Sequence, residues 1–356
     1  MAKSANLSAA KVAKDDEFYT KYEDIQAELN HYEEHFKGKT VLCNCDDPFE
    51  SNFCKFFLRN FNYLGLKRLI CTSYTTSPVV GTQMTIWDLL GEPIHKGNGY
   101  VMDISEVPMA NGRGVSDEDI EKLLQSKKRG VKKLHGDGDF RSNECIEYLK
   151  EADLVVTNPP FSLARSFITT LFEFNKKFLI IGDLNWITNK DVFSLMQQDK
   201  IWLGYSAVKK FIQPDGTTRK FGNKLWYTNL DIQKRHDELI LYKHYSADEY
   251  PKYDNYDAIE VSKVSDIPKD YSGIMGVPIT FMNSYNPDQF EILGRRGDLE
   301  WAENECDFYT PPSPELQAKY KKMNKTWRVQ NTYILSAEGI PQITYGRIFI
   351  RRRTKA

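Results

Sequence analysis

Little in this chain points to a membrane, a metal or a uniformly charged partner. No apolar run approaches the about 20 residues that cross a bilayer, and the opening Met1–Asn6 lacks the apolar stretch of a secretory signal. A soluble cytoplasmic protein is therefore expected. The 6 cysteines follow no framework spacing, which excludes a disulfide scaffold and reads as reduced intracellular thiols. No Cys-x-x-Cys pair or histidine cluster accompanies Cys43, Cys45 and Cys54, so buried thiols are favoured over a metal site and no metal is expected. The formal net charge of −1 excludes a uniformly basic nucleic-acid binder.

What is present is a patterned distribution of charge and apolar residues. Basic residues gather at Lys127–Lys133, at Lys209, Lys210, Arg219, Lys220 and Lys224, at Lys319, Lys321, Lys322, Lys325 and Arg328, and at Arg351–Lys355. A near-neutral chain can still turn one positive face to phosphates, although each cluster alone reads as solvated surface. With 356 residues the chain has room for a large α/β domain and a smaller second one.

Residues 1–14 read as a flexible lead-in. From Asp15 to Phe36 apolar residues recur at helical spacing, and Thr40–Cys45 then reads as a buried strand ending in the turn-prone Asp46-Asp47-Pro48. A helix at Ser51–Asn62 and a strand at Arg68–Thr72 complete a βαβ unit. A strand at Tyr100–Ile104 and a helix at Ser116–Gln125 follow, and then a helix near Ser142–Lys150. Strands at Leu154–Thr157 and Phe178–Ile181 flank a helix at Ser162–Phe174. This alternation predicts a parallel sheet covered on both faces, with ligands beyond the carboxyl ends of its strands. After residue 245 the periodicity fades and Tyr, Pro, Asp and Asn become frequent. Residues 245–356 are expected to form a separate loop-rich region with strands at Thr332–Leu335 and Ile343–Ile350.

The sharpest chemical signal is Asn158-Pro159-Pro160-Phe161, directly after the strand Leu154–Thr157. Two adjacent prolines stiffen the backbone and remove two N–H donors, which holds nearby carbonyls in place. Such a turn suits an amine that is a poor nucleophile, such as the exocyclic amino group of adenine. The Asn158 side-chain oxygen and the Pro159 carbonyl would accept its two N–H groups and draw the nitrogen toward tetrahedral geometry. Its lone pair would then attack a sulfonium methyl, catalysis coming from placement and electrostatics. Phe161 would stack on a base flipped from its duplex. The plain alternative is a Pro-Pro turn that merely ends a strand.

The sequence resembles the EcoRI-type adenine-specific DNA methyltransferases. The resemblance runs through Asp16–Thr20, Cys43–Phe53, Gly136–Ser142, Val155–Ser162, Leu225–Asp231 and Gly276–Phe281, which together span most of the chain. It implies a class I, Rossmann-like S-adenosylmethionine-dependent methyltransferase sheet flanked by helices, with a smaller C-terminal recognition region. A catalytic domain at 15–244 and a DNA target-recognition region at 245–356 follow. The resemblance implies that Phe18, Tyr19 and Thr20 contact the methyl donor. It implies that Asp47-Pro48-Phe49 open the donor loop, with Asp46 as the alternative acid, and that Asp139 and Phe140 hold the donor's adenine. The glycines that usually follow Asp-Pro-Phe are replaced by Glu50-Ser51-Asn52, so the loop must wrap the donor differently. The second strand ends Cys71-Thr72-Ser73-Tyr74, without the acid that commonly grips the ribose.

Two remaining patterns carry less. Asn111-Gly112-Arg113-Gly114 before Asp117 and Asp119 has the wrong spacing for a calcium loop, and Asp137-Gly138-Asp139 fits the donor pocket better than a cation. Trp226 and Asn229 are candidates for the target-base pocket, core packing of the Trp being the alternative. Lys209, Lys210, Lys220, Lys322, Lys325 and Arg328 are expected to face phosphates while loops of 245–356 read base edges. The expected partner is double-stranded DNA, acted on by a monomer, with a cognate restriction endonuclease where the chain serves a restriction system. The rival readings are methylation of another planar nitrogen (cytosine N4, RNA adenine or a protein glutamine) and an inactive sequence-specific DNA-binding module.

Overall fold

A computed structural model describes residues 19–46, 51–73, 99–108, 131–212, 217–295, 307–323, 333–335, 341–344 and 346–353. The chain divides into two compact units. The first comprises 1–186 and 203–230, and the second comprises 187–202 and 231–356. The boundary expected near 245 thus falls after Leu230, and a short insertion between two strands of the first unit belongs to the second.

The first unit opens with β1 (Tyr19–Thr20), α1 (Tyr22–Leu29) and α2 (Glu33–Phe36). Then come β2 (Thr40–Asn44), α3 (Asn52–Asn60), β3 (Arg68–Ser73), β4 (Tyr100–Ile104) and β5 (Val131–Lys133). The segment α4 (Asn143–Glu151), β6 (Leu154–Thr157), α5 (Ala164–Glu173) and β7 (Lys177–Asp183) follows. After the insertion the unit closes with the long pair β8 (Trp202–Ile212) and β9 (Thr218–Thr228). The nine strands form one sheet in the order β1-β8-β9-β7-β6-β2-β3-β4-β5.

Its centre is parallel, β7-β6-β2-β3, as the apolar runs predict. Every residue of β2 and β6 is buried, which is the signature of strands covered on both faces. Its margins are not parallel: β4 runs against β3, and β9 runs against β7. The reason is that an apolar run reads the same in either direction, so periodicity reveals a strand but not its sense. The helix expected over 15–36 begins only at Tyr22, because Tyr19 and Thr20 pair with Ile212 and Phe211 of β8. The expected helix at 116–125 lies outside the described residues.

Local chemistry sets the helix starts. Ser51 caps α3 by accepting from the Phe53 amide at 3.1 Å, and Ser142 caps α4 by accepting from Cys145 at 3.2 Å. The inward face of α3 buries Phe53, Phe56 and Phe57, each contributing about 1.5–3 kcal/mol of burial. A buried acid ties α1 to β8. Glu28 accepts from the Tyr205 amide (2.8 Å), from the Ser206 amide and hydroxyl (both 2.7 Å) and from Tyr32 Oη (2.9 Å). Its carboxylate fills the space a side chain at Gly204 would need.

In the second unit α6 (Lys190–Gln197) precedes the strands β10 (Ile259–Glu260), β11 (Met275–Pro278) and β12 (Phe290–Arg295). Beyond them lie α7 (Pro314–Met323), β13 (Tyr333–Leu335), β14 (Pro341–Ile343) and β15 (Arg347–Arg352). A four-stranded sheet runs β10-β11-β15-β12, and β13 pairs with β14. Tyr253, Tyr256, Ala258 and Phe349 form an aromatic core. Beside it Glu260 is buried with Arg347, whose Nη2 lies 2.5 Å from Oε1, and accepts from Tyr253. Among the described residues no helix is long and apolar enough to cross a membrane.

Candidate active site at the carboxyl edge of the sheet

Strands β2 and β6 are adjacent and parallel, so the turns that follow them lie side by side at one edge. The helices on either side of such a junction leave a crevice, the usual ligand position in open α/β sheets. Cys45, at φ 150°, turns the chain out of β2 in a conformation uncommon for a non-glycine residue. Asp46 is thereby folded inward, only 6% exposed.

Asp46 clamps the two turns together. Its carboxyl accepts from Ser51 Oγ at 2.7 Å and from Thr157 Oγ1 at 2.5 Å, and the Asn158 amide also donates to it. Burial pushes its pKa up to about 7, and the Cys54 thiol adds to the rise, against the lowering effect of the Thr157, Ser51 and Asn158 hydrogen bonds. Both carboxyl oxygens are engaged within the protein. The residue that reads from sequence as a possible donor ligand is a strut for the Asn158 turn.

The turn itself carries Pro159 and Pro160, after which Phe161 opens a single 3-10 turn leading into α5. Lys224 Nζ sits 3.8 Å from the centroid of the Phe161 ring and 2.7 Å from Asp183 Oδ2, at the end of β7. This lysine reads from sequence as part of a surface cluster, yet its side chain is 6% exposed. The signal available was its place directly before the apolar Leu225-Trp226-Tyr227.

The donor candidates divide. Thr20 is buried, and its carbonyl accepts from Asn52 Nδ2 at 2.7 Å, which joins β1 to the start of α3; Tyr19 pairs with Ile212. Asp139 is gripped by Arg141, with Nη2 at 2.5 Å from one carboxylate oxygen and Nε at 2.9 Å from the other. The guanidinium holds the Asp139 carboxyl below its usual range. Phe140 is 4% exposed and meets Phe167 edge to face, with centroids 5.0 Å apart. Phe18, Asp47, Pro48 and Phe49 lie outside the described residues.

The two target-pocket candidates separate in space. Trp226 is fully buried, with its ring edge-on to Phe53 at 5.8 Å, so it packs in the core. Asn229 lies elsewhere: it bridges the start of β7, accepting from the Phe178 amide and donating to the Lys176 carbonyl, both at 2.9 Å. That is the end of β7 opposite Asp183. Proximity to Trp226 in sequence misleads here, because a strand carries neighbours about 3.3 Å further along the sheet per residue.

Lys209, Lys210 and Lys220 are exposed on β8 and β9, and Lys322 is exposed on α7. Lys325 and Arg328 lie outside the described residues. The cysteine grouping also changes, since β2 and β3 place Cys43 beside Cys71. The sulfurs of Cys43, Cys54 and Cys71 lie within 4.8 Å of one another, all buried.

These features define a mixed α/β protein with a polar, proline-stiffened turn at its sheet edge, and comparison with known proteins identifies the class. Residues 6–353 match the family described as adenine-specific methyltransferase EcoRI. The chain is 45% identical over 323 residues to the Type II methyltransferase M.EcoRI of Escherichia coli, covering 84% of this chain and 93% of that protein. It is 36% identical to M.MpnI of Mycoplasma pneumoniae, over 81% of this chain and 84% of that one. The corresponding figures for M.MgeORF184P of Mycoplasma genitalium are 35%, 81% and 85%. No solved structure matches. The chain belongs to the EcoRI adenine-specific methyltransferase family and is a DNA adenine methyltransferase.

Proposed function

We propose that this chain transfers a methyl group from S-adenosylmethionine to the exocyclic N6 of an adenine flipped out of double-stranded DNA. The observation that carries the reading is the Asp46 clamp, which fixes Thr157 and Asn158 at the carboxyl edge of the parallel strands. Asn158 and the Pro159 carbonyl accept the two amino hydrogens of adenine, and Phe161 supplies the stacking surface. The bound donor supplies an electrophilic methyl on a sulfonium. No nucleophilic side chain is needed.

The residues present fit such a donor. Thr20 Oγ1, Asn44 Oδ1 and Trp226 Nε1 are buried without a hydrogen-bond partner among the described residues. Buried polar atoms are ordinarily satisfied, and an amino-acid tail and ribose offer matching donors and acceptors. Thr20 and Asn44 therefore join Tyr19, Phe18 and the Asp47-Pro48-Phe49 segment as donor ligands. With both Asp46 oxygens engaged, Asp47 is the better donor acid. Asp139 would meet the donor's adenine only by sharing its carboxylate with Arg141. The order β7-β6-β2-β3, with antiparallel β9 next to β7, supports a class I, Rossmann-like reading of the sheet. Exposed Lys209, Lys210 and Lys220 would face phosphates, joined by Lys322, Lys325 and Arg328, with the second unit reading base edges. We place the enzyme in the cytoplasm as a monomer, alongside a cognate endonuclease of a restriction-modification system.

The test is incorporation of radiolabelled methyl from S-adenosylmethionine into unmethylated genomic DNA, with nucleoside analysis of the product. N6-methyladenine is expected, and N4-methylcytosine or unlabelled DNA would overturn the reading.

A further inference from the structure

We propose that Lys224 is a positioning residue of the target-base pocket, holding the Phe161 ring in place for stacking through a cation–π contact anchored by Asp183. The inference rests on the adenine-methylation reading above and extends it to a residue with no assigned role.

The argument begins in the strand register. β9 runs against β7 with Lys224 directly opposite Asp183, so the two side chains meet where β7 ends. Asp183 is itself fixed. Its Oδ1 accepts from the Asn185 amide at 2.8 Å, and its carbonyl accepts from Tyr227 Oη at 2.8 Å. The Lys224 ammonium, donating to Oδ2 at 2.7 Å, is thereby pinned above the Phe161 ring. Phe211 meets the same ring edge-on, with centroids 6.1 Å apart.

Burying an ammonium is costly, and an apolar pair at 183 and 224 would ordinarily stabilise a sheet as well or better. A buried lysine over an aromatic ring is therefore better explained by what it does to that ring. The cation covers one face of Phe161 and Phe211 packs at 82° to the ring, which limits its rotation. On this proposal the face turned away from the cation is the one that a base would use. The cation also draws π density toward itself, which favours an electron-rich purine stacked on the far side. Lys220, four residues earlier, is exposed and suits a phosphate, whereas Lys224 is enclosed.

The test is a double-mutant cycle read by single-turnover methylation, which isolates the methyl-transfer step from product release. Lys224→Gln keeps a donor for Asp183 and removes the charge. Its rate should fall about tenfold, within the range of a desolvated cation–π contact, with S-adenosylmethionine affinity unchanged. Lys224→Arg should restore the rate. In a Phe161→Leu background, Lys224→Gln should cost little more. A duplex with 2-aminopurine at the mapped target adenine should show altered stacked-base emission in Lys224→Gln.

A Lys224→Gln rate within twofold of wild type overturns the proposal, as does a tenfold loss that persists in Phe161→Leu. If Lys224→Gln fails to fold, a folded Lys224→Arg with a tenfold loss overturns it equally. Failure of the parent reading is distinguishable, because wild-type enzyme would then place no methyl in DNA.

Discussion

The two units each bury a carboxylate, and they treat it in opposite ways. Glu260 in the second unit is 5% exposed and is met by the Arg347 guanidinium and the Tyr253 hydroxyl. Asp46 in the first is 6% exposed and is met by two hydroxyls and an amide, without a guanidinium or ammonium among the groups that shift it. The first arrangement neutralises the charge and locks strands β10 and β15 to each other. The second leaves the carboxyl poised to gain a proton near neutrality, beside the turn proposed to hold the target amine. A fully compensated buried acid marks architecture here. An incompletely compensated one lies at the turn proposed here as the active site.

That contrast can be broken in several ways. The largest effect is expected from Asn158→Ala, which should lower methyl transfer by about 10³-fold, as for loss of a preorganised polar group. Isothermal titration with S-adenosylmethionine should show donor binding retained, and normal turnover would remove Asn158 from the chemistry. Arg347→Met should act on stability instead, leaving Glu260 buried without its cation at a cost of about 3–5 kcal/mol. Hydrogen exchange of β11 and β15 would report it. Unchanged protection in this variant, together with unfolding in Asn158→Ala, would invert the comparison.

Asp46→Asn sharpens it through pH. The folded pKa of Asp46 is raised from 3.8 to about 7, so the folded state holds a proton that the unfolded chain has released. Its contribution is fully present below pH about 4. It declines by at most about 1.4 kcal/mol per pH unit as pH rises to about 7, and levels off above. Denaturant titrations at pH 5 and pH 8 should show this decline in wild type and a flatter profile in Asp46→Asn. An equal slope in both would mean the carboxyl stays ionised. The smallest effect belongs to exposed charge. Replacing Lys209, Lys210 and Lys220 by Ala should leave folding intact and reduce the log–log salt slope of DNA binding by about 2 to 3. No change in slope would place these lysines away from phosphates.

How much of this was legible in the sequence follows from the range of each signal. The strands β2, β3, β6 and β7 announce themselves through unbroken apolar runs, and Asn158-Pro159-Pro160-Phe161 through its place after one of them. The direction of β4 and β9 is hidden, since direction is decided by chain connections rather than residue type. Asp46 and Asp47 look alike in sequence. Only the neighbouring Thr157, contributed by a strand 111 residues away, reveals that one of them is internal. Lys224 was masked by company, counted with exposed lysines of the same hairpin until the register placed it opposite Asp183. Asn229 shows the converse: it is close to Trp226 along the chain, yet it sits at the start of β7, opposite the end that carries Asp183.

The buried Glu28 carries a consequence for how the molecule is made. Its carboxylate is satisfied by amides 177 and 178 residues later, so α1 leaves the ribosome long before its partners exist. At about 5–20 residues per second, it waits on the order of 10–40 s before β8 emerges. Until then Glu28 has the Tyr32 hydroxyl but not its strand amides, while α1 can already pack on α3 through Tyr22 and Phe56. Hydrogen exchange of stalled nascent chains should therefore show α1 less protected in lengths that end before Ser206 than in longer ones, and equal protection would show that the Tyr205 and Ser206 amides add nothing to its docking.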